Sequence, residues 1–165
     1  MADYIVEALT RNAISDAFPL VHVVMPKLDL QAWQRFARFA LDARRGRQAG
    51  ILIARRIVRR HICGLVCYRL DTDLGFGRIV QARNLIGIDI LDPRPIILAL
   101  IGQLGRLAQA NGCASVHVGI PESEFAASLL PGLVARHEMQ RRVHRLLSVE
   151  FLLQDLVLME VEAAV

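Results

Sequence analysis

A chain of 165 residues that is 54% hydrophobic and only 5% aromatic can bury a sizeable core, and that core must be aliphatic. The net charge is +4, with Lys27 the only lysine; the final acids, Glu150, Asp155, Glu160 and Glu162, fall in a stretch without a base, which leaves residues 1–149 with about +8. No apolar run reaches the ~20 residues that a bilayer span needs, and MADYIVEALTRNA lacks the basic and apolar regions of a signal peptide. One cytoplasmic domain spanning 1–165, with no membrane partner, is the expectation. A basic body attracts phosphates, CoA or nucleic acid. No aromatic residues interleave with the arginines to stack on bases, so nucleic acid is not the expected partner.

In chain order, Tyr4–Leu9 (YIVEAL) predicts a first strand. Ala13–Met25 is mostly apolar and predicts a helix or an irregular turn of one, broken by Met25-Pro26-Lys27. Asp29 is placed to cap a helix over Leu30–Ala43, where Trp33, Phe36, Ala37, Ala40 and Leu41 recur at helical spacing. The aromatic cluster Trp33, Phe36 and Phe39 reads as core packing rather than a ligand box.

Arg44–Gly50 reads as a loop. Gly50–Ile57 (GILIARRI) and His61–Leu70 (HICGLVCYRL) then predict an antiparallel hairpin that turns at Val58-Arg59-Arg60. Arg55, Arg56, Arg59 and Arg60 crowd its tip. They read as a solvated, aggregation-resistant hairpin end, with a phosphate patch as the alternative. On one strand, Cys63 and Cys67 would share a face about 13 Å apart, too far for a disulfide or a shared zinc. Asp71 and Asp73 in DTDLGFG are turn chemistry, and no downstream glutamate completes a calcium loop. No metal site is expected.

Arg78–Leu91 carries the next strand, with Leu85–Leu91 its most apolar part. A helix over Ile96–Asn111 follows and stops at Asn111-Gly112. Cys113–Ile120 is a buried strand, and Glu122 or Ser123 opens a helix through Ala127–Leu130. Val143–Leu147 and Leu156–Val161 are the expected closing strands. The strand–helix–strand around residues 85–120 requires two parallel strands. The result is an α/β chain, a mixed, mostly antiparallel twisted sheet with helices on both faces.

This order resembles the GCN5-related N-acetyltransferase (GNAT, acyl-CoA N-acyltransferase-like) fold over nearly the whole chain. LIGIDIL resembles the fourth strand of that family, LIGQLGRLAQANGC the helix after it, VHVGI the fifth strand and LVLMEVEA the usual last strand. The resemblance implies an N-acyltransferase that uses acetyl-CoA or another acyl-CoA as co-substrate and a small-molecule or protein amine as acceptor. It leaves a homodimer open. Ile90, Arg94, Ile96 and Ile97 are the cofactor-binding candidates that it implies. The family's pyrophosphate loop is glycine-rich, whereas here Pro93, Pro95 and Ile97 stand where glycines are expected. Proline has no N–H to donate, so with Pro93 as the first helical residue only the amides of Arg94 and Ile96 remain in the first turn. Asp92 is a natural cap that satisfies the helix dipole and repels a phosphate, which Arg94 would partly offset. The family's tyrosine acid is also missing from PESEFAASLLPG.

Aminolysis of a thioester needs a base for the amine proton. Asp89, inside the apolar GIDIL, is one candidate, since other members of the family place a base on this strand. The plainer reading pairs it with an arginine such as Arg83. His117, in VHVGI on the neighbouring strand, is the second, with Asp89 as its orienting carboxylate if the two lie on one face. The alternative function is a non-catalytic GNAT-like domain that has lost acyl-CoA binding and serves as an interaction or ligand-binding module.

Overall fold

Apolar runs bounded by turn residues build the centre of the molecule. The computed structural model describes residues 4–42, 48–121, 139–143 and 146–152. Within them one sheet contains β1 (Tyr4–Ala8), β2 (Ala49–Arg56), β3 (Ile62–Asp73), β4 (Gly77–Gly87), β5 (Ser115–Pro121), β6 (Met139–Val143) and β7 (Leu146–Leu152). The order across the sheet is β1-β2-β3-β4-β5-β7-β6. All neighbours are antiparallel except β4 and β5. That pair is parallel because helix α3 (Arg94–Ala110) returns the chain between them.

The run Ile51-Leu52-Ile53-Ala54 in β2 is buried throughout because helices cover both faces of the sheet. Leu52 and Ala54 meet α3, whose Ile96, Leu100, Ile101, Leu104 and Ala108 recur at helical spacing and are fully buried. Ile51 and Ile53 face the other way, against α1 (Phe18–Val24) and α2 (Leu30–Ala40). Burial of each such side chain stabilises the fold by roughly 1.5–3 kcal/mol. Helix α2 starts where expected: the Asp29 carboxylate accepts the Ala32 N–H at 2.7 Å. Helix α3 stops where expected. Gly112 has φ +64°, its N–H donates to the Gln109 carbonyl (3.2 Å), and the Cys113 N–H donates to the Ala108 carbonyl (2.9 Å), a Schellman closure.

Two glycines let α3 lie close to the sheet. Gly64 and Gly87 are cross-strand partners on β3 and β4. A Cβ at Gly87 would stand 2.8 Å from Ile97 Cδ1, and one at Gly64 would stand 3.1 Å from Leu100 Cδ1.

Several expectations are corrected. Cys63 packs on the α3 face and Cys67 on the α1/α2 face, so they do not share a side. The pairing explains why: Ala54 opposes Gly64 while Arg55 opposes Ile62, so Cys63 is an extra residue that resets the alternation. Both thiols are free. Of the α2 aromatics only Trp33 is core, donating Nε1–H to the Ile14 carbonyl at 2.7 Å; Phe36 and Phe39 are exposed. Strand β3 runs on through Asp71 and Asp73, and the Asp73 carboxylate accepts the Gly75 and Phe76 amides in the turn to β4. Strand β4 ends at Gly87 rather than Leu91. The expected strand Val143–Leu147 falls instead on the last residue of β6 and the first two of β7, with residues 144 and 145 outside the described ones. The expected strand Leu156–Val161 and the helix from residue 122 to 130 lie outside the described residues.

Candidate functional site

The parallel pair β4 and β5 is bonded only from Ile79↔Ser115 to Ala82↔Val118, yet the strands continue to Gly87 and Pro121. The cause lies on the other edge of β4. Leu65 opposes Ile86 while Cys67 opposes Arg83, so β4 carries one residue more than β3 across this stretch. Asn84 absorbs it with φ +55°, in the left-handed region. The bulged strand leaves its parallel neighbour beyond Ala82. Facing strands that part in this way can pair with an extended, amide-bearing chain laid between them.

Helix α3 begins at the same end of the sheet. It starts at Arg94, with Pro93 already in helical conformation (φ −77°, ψ −10°). Asp92 caps it from one residue earlier: its Oδ1 accepts the Arg94 N–H at 3.0 Å, and its carboxylate pairs with the Arg94 guanidinium at 2.8 Å. That guanidinium holds the Asp92 carboxyl below its usual range. The two amides expected to remain for an anion are both taken. Arg94 gives its N–H to Asp92, and Ile96 gives its N–H to the Pro93 carbonyl at 3.1 Å. The Ile97 N–H goes to the same carbonyl at 3.2 Å. The side chains of Ile96 and Ile97 are buried, and Ile90 stands fully exposed in the preceding loop.

Asp89 lies in that loop, beyond the end of β4. Its Oδ1 accepts the Leu91 N–H at 2.9 Å, its Oδ2 accepts the Tyr4 hydroxyl at 3.0 Å, and the Arg56 guanidinium pairs with the same oxygen. The carboxylate side chain is 5% exposed. The Leu91 amide, with Tyr4 and Arg56, holds its carboxyl down at about 2. Its arginine partner is thus Arg56 and not Arg83. Tyr4 and Arg56 oppose each other directly across β1 and β2, so one cross-strand pair meets the loop. Burial raises the Tyr4 hydroxyl's pKa above its ordinary value.

His117 sits on β5 opposite Gln81 of β4, eight residues before Asp89. Its Nε2 lies 3.0 Å from Ser115 Oγ, and its ring meets Phe76 edge-on at 5.4 Å. Val116 and Val118 face α3, so Ser115 and His117 face the opposite side. Asp89 and His117 are therefore not a dyad: at ~3.3 Å per residue, roughly 25 Å of chain separates their levels.

No protein-family model matches the sequence, and neither does any curated protein. The similarity lies in the structure. Apo FdhC, a nucleotide-linked sugar GNAT, superposes with a TM-score of 0.76 at 9% identity, over 99% of this chain and 94% of that one. The aminoglycoside N-acetyltransferase AAC(6')-Iy in complex with CoA gives 0.70 at 15% identity, over 85% and 91%. A ribosomal-protein-alanine N-acetyltransferase from Brucella melitensis biovar Abortus 2308 gives 0.66 at 19% identity, over 86% and 98%. The chain has the GNAT fold.

Within this GNAT fold the bulge also shapes a small cavity. A space of about 190 Å³ lies between the sheet and the α1/α2 layer, lined by Met25, Trp33, Phe36, Leu65, Cys67 and Asn84. It is almost wholly apolar apart from Asn84. Burial pushes the Cys67 thiol up to about 11, which keeps it protonated and inert. Among the described residues no helix is long and apolar enough to cross a membrane, and no group of three or more His, Cys, Asp or Glu is placed to hold a metal. Sequence reasoning missed Tyr4, Arg56 and Asn84. Asn84 carried a faint signal, since asparagine tolerates the left-handed region better than most residues.

Proposed function

We infer that this protein transfers an acyl group from acyl-CoA to an amine. The observation that carries this reading is the parting of β4 from β5 beyond Ala82↔Val118, next to the apolar cavity. An extended amide-bearing arm fits the parted strands, and the fold is that of proteins named as N-acetyltransferases. Acyl-CoA supplies the acyl group as an activated thioester. The amine nitrogen bonds to the carbonyl carbon, the carbon–sulfur bond breaks, and the thiol leaves.

His117 is the proton acceptor in this reading. It lies on β5 one position before the last bonded pair, Ala82↔Val118, and faces the same side of the sheet as the cavity. Ser115 Oγ, 3.0 Å from Nε2, fixes the ring. Asp89 is a positioning residue: a carboxyl held at about 2 is too weak a base for an amine proton, but it ties β1, β2 and the loop before α3 together. Ile90 is exposed in the loop before α3, Ile96 and Ile97 are buried, and the Arg94, Ile96 and Ile97 amides of the helix start are used internally. The pyrophosphate of CoA does not fit that helix start as a backbone-bound anion.

The occupied helix start favours a second reading, a GNAT-fold domain that binds partners or small ligands without acyl transfer. Calorimetric titration with acetyl-CoA and with free CoA separates the two. Saturable binding is expected, and no heat of binding at millimolar ligand overturns the transferase reading.

A further inference from the structure

The β2–β3 turn forms a second concavity, away from the parted strands. It encloses about 410 Å³ between the turn and the entry to α1. Arg55, Arg59, Arg60 and His61 line one side, and Pro19 and Asp16 face them. The turn is braced rather than loose. Arg55 donates from Nη1 to the Arg60 carbonyl at 3.0 Å, and its Nε is paired with Glu7 of β1 at 2.7 Å. The Arg60 N–H closes the turn on the Arg56 carbonyl at 2.8 Å. Arg60 itself is held at φ +51°, a left-handed conformation that an ordinary residue adopts at a cost.

The charges do not cancel. Glu7 neutralises Arg55 and Asp89 neutralises Arg56. The side chains of Arg59 and Arg60 have no hydrogen bond or ion pair with any described residue. Two arginines whose guanidinium groups have no partner among the described residues thus line one concavity, and among the described residues Asp16 is the one carboxylate in its wall. Guanidinium matches phosphate oxygens in paired hydrogen bonds, and several forks can share one phosphate. The space exceeds what a bare phosphate fills, so it leaves room for the group that carries it. Asp16 suits a ligand with a donor, hydroxyl or ammonium, beside its phosphate. Among the described residues no Phe, Tyr or Trp lines the space, so nothing there stacks on a base.

We propose that the β2–β3 turn is a binding site for a phosphate monoester, held by Arg59 and Arg60 against the brace of Arg55. The site does not depend on acyl transfer. The phosphate has two chemical sources: a phosphorylated small molecule, or the 3′-phosphate of CoA.

The test is calorimetric titration of the full chain with inorganic phosphate and with phosphoethanolamine, at ionic strength matched with chloride. The variant is Arg59→Ala with Arg60→Gly; glycine accepts φ +51°, so the turn keeps its form. Arg59→Gln alone is a milder second variant, and circular dichroism verifies that both fold. The double variant should lose at least roughly tenfold in affinity for phosphoethanolamine, and Arg59→Gln part of that. Equal affinity in a folded double variant, or no binding by the wild type, overturns the proposal. Parallel titrations with CoA and 3′-dephospho-CoA assign the source. A loss seen with CoA and absent with 3′-dephospho-CoA supports the site and identifies the nucleotide. A loss confined to phosphoethanolamine supports the site and identifies a separate ester. Phosphoethanolamine binding by a protein that ignores CoA leaves this site standing while acyl transfer falls.

Discussion

Replacing Gly64 by alanine puts a methyl group where the first turns of α3 already sit. The new Cβ would overlap Ile96 Cγ2 and stand 3.1 Å from both Ala54 Cβ and Leu100 Cδ1. Ile96, Ala54 and Leu100 are fully buried, so none can swing into solvent. Overpacking of this kind costs roughly 1–3 kcal/mol, and the lower entropy of the unfolded alanine chain returns about 0.4–1 kcal/mol. The net loss should be about 1–2 kcal/mol, or roughly 3–6 °C in Tm for a chain of this size. Urea unfolding of the single variants Gly64→Ala and Ile96→Ala and of the pair forms a cycle. Ile96→Ala alone costs roughly 2–5 kcal/mol through its cavity, yet it removes the atom that the new methyl strikes. The pair should therefore lose less than the sum of the singles, by on the order of 1 kcal/mol. A Gly64→Ala protein within about 0.5 kcal/mol of wild type, or a strictly additive cycle, would refute close seating of α3 on the glycine pair.

Trp33→Phe removes the 2.7 Å bond to the Ile14 carbonyl and part of a buried indole from the core, so urea unfolding should show a loss of roughly 1–3 kcal/mol. No loss would mean that water reaches that carbonyl. Asp89 titrates at about 2 when folded, against ~3.9 when unfolded. The folded state binds fewer protons between those values, so this contribution is complete above about pH 4 and is lost as the pH falls toward 2. Asp89→Asn should flatten the fall of stability in that window, measured by urea midpoints at stepped pH; parallel curves for variant and wild type would count against the latch. Opening the helix start with Asp92→Gly, Pro93→Gly and Pro95→Gly restores backbone donors and removes a carboxylate, so acetyl-CoA should bind roughly three- to tenfold more tightly by calorimetry. Weaker binding by a folded triple variant would sink the account of that helix start.

The parts of the fold that were legible rest on local chemistry. Asp29 before an apolar stripe, Asn111-Gly112 after one, and the unbroken GILIA of β2 each fix an element within a few residues. The parallel pairing of β4 and β5 followed from the length of the crossover alone. Asp92 was legible as a cap because cap and amide are neighbours. The illegible parts depend on residues brought together from afar or on an alternation that slips. Asp89 finds Arg56 and Tyr4, 33 and 85 positions away, through the order of strands at one end of the sheet. Cys63 and Asn84 each add a residue to a strand; nothing in the cysteine side chain announces it, and asparagine's tolerance of the left-handed region announces it only faintly. The arginine turn is exposed as a solvated tip should be; the concavity beside it was not legible because Asp16 and Pro19, which help to line it, come from the entry to α1.

The extra residue at Asn84 has a consequence for any attempt to shorten β4. Up to Ala82 the even-numbered side chains, Val80 and Ala82, meet α3; past the bulge the odd-numbered Leu85 does, and Ile86 turns to α1 and α2. Deleting Asn84 would do more than straighten a strand. It would slide the following loop, Asp89 included, one position back relative to Tyr4 and Arg56, and bring β4 alongside β5 where the two now part. One residue thus sets the phase of the strand end, the reach of the loop and the width of the opening together, and none of the three can be tuned without the others.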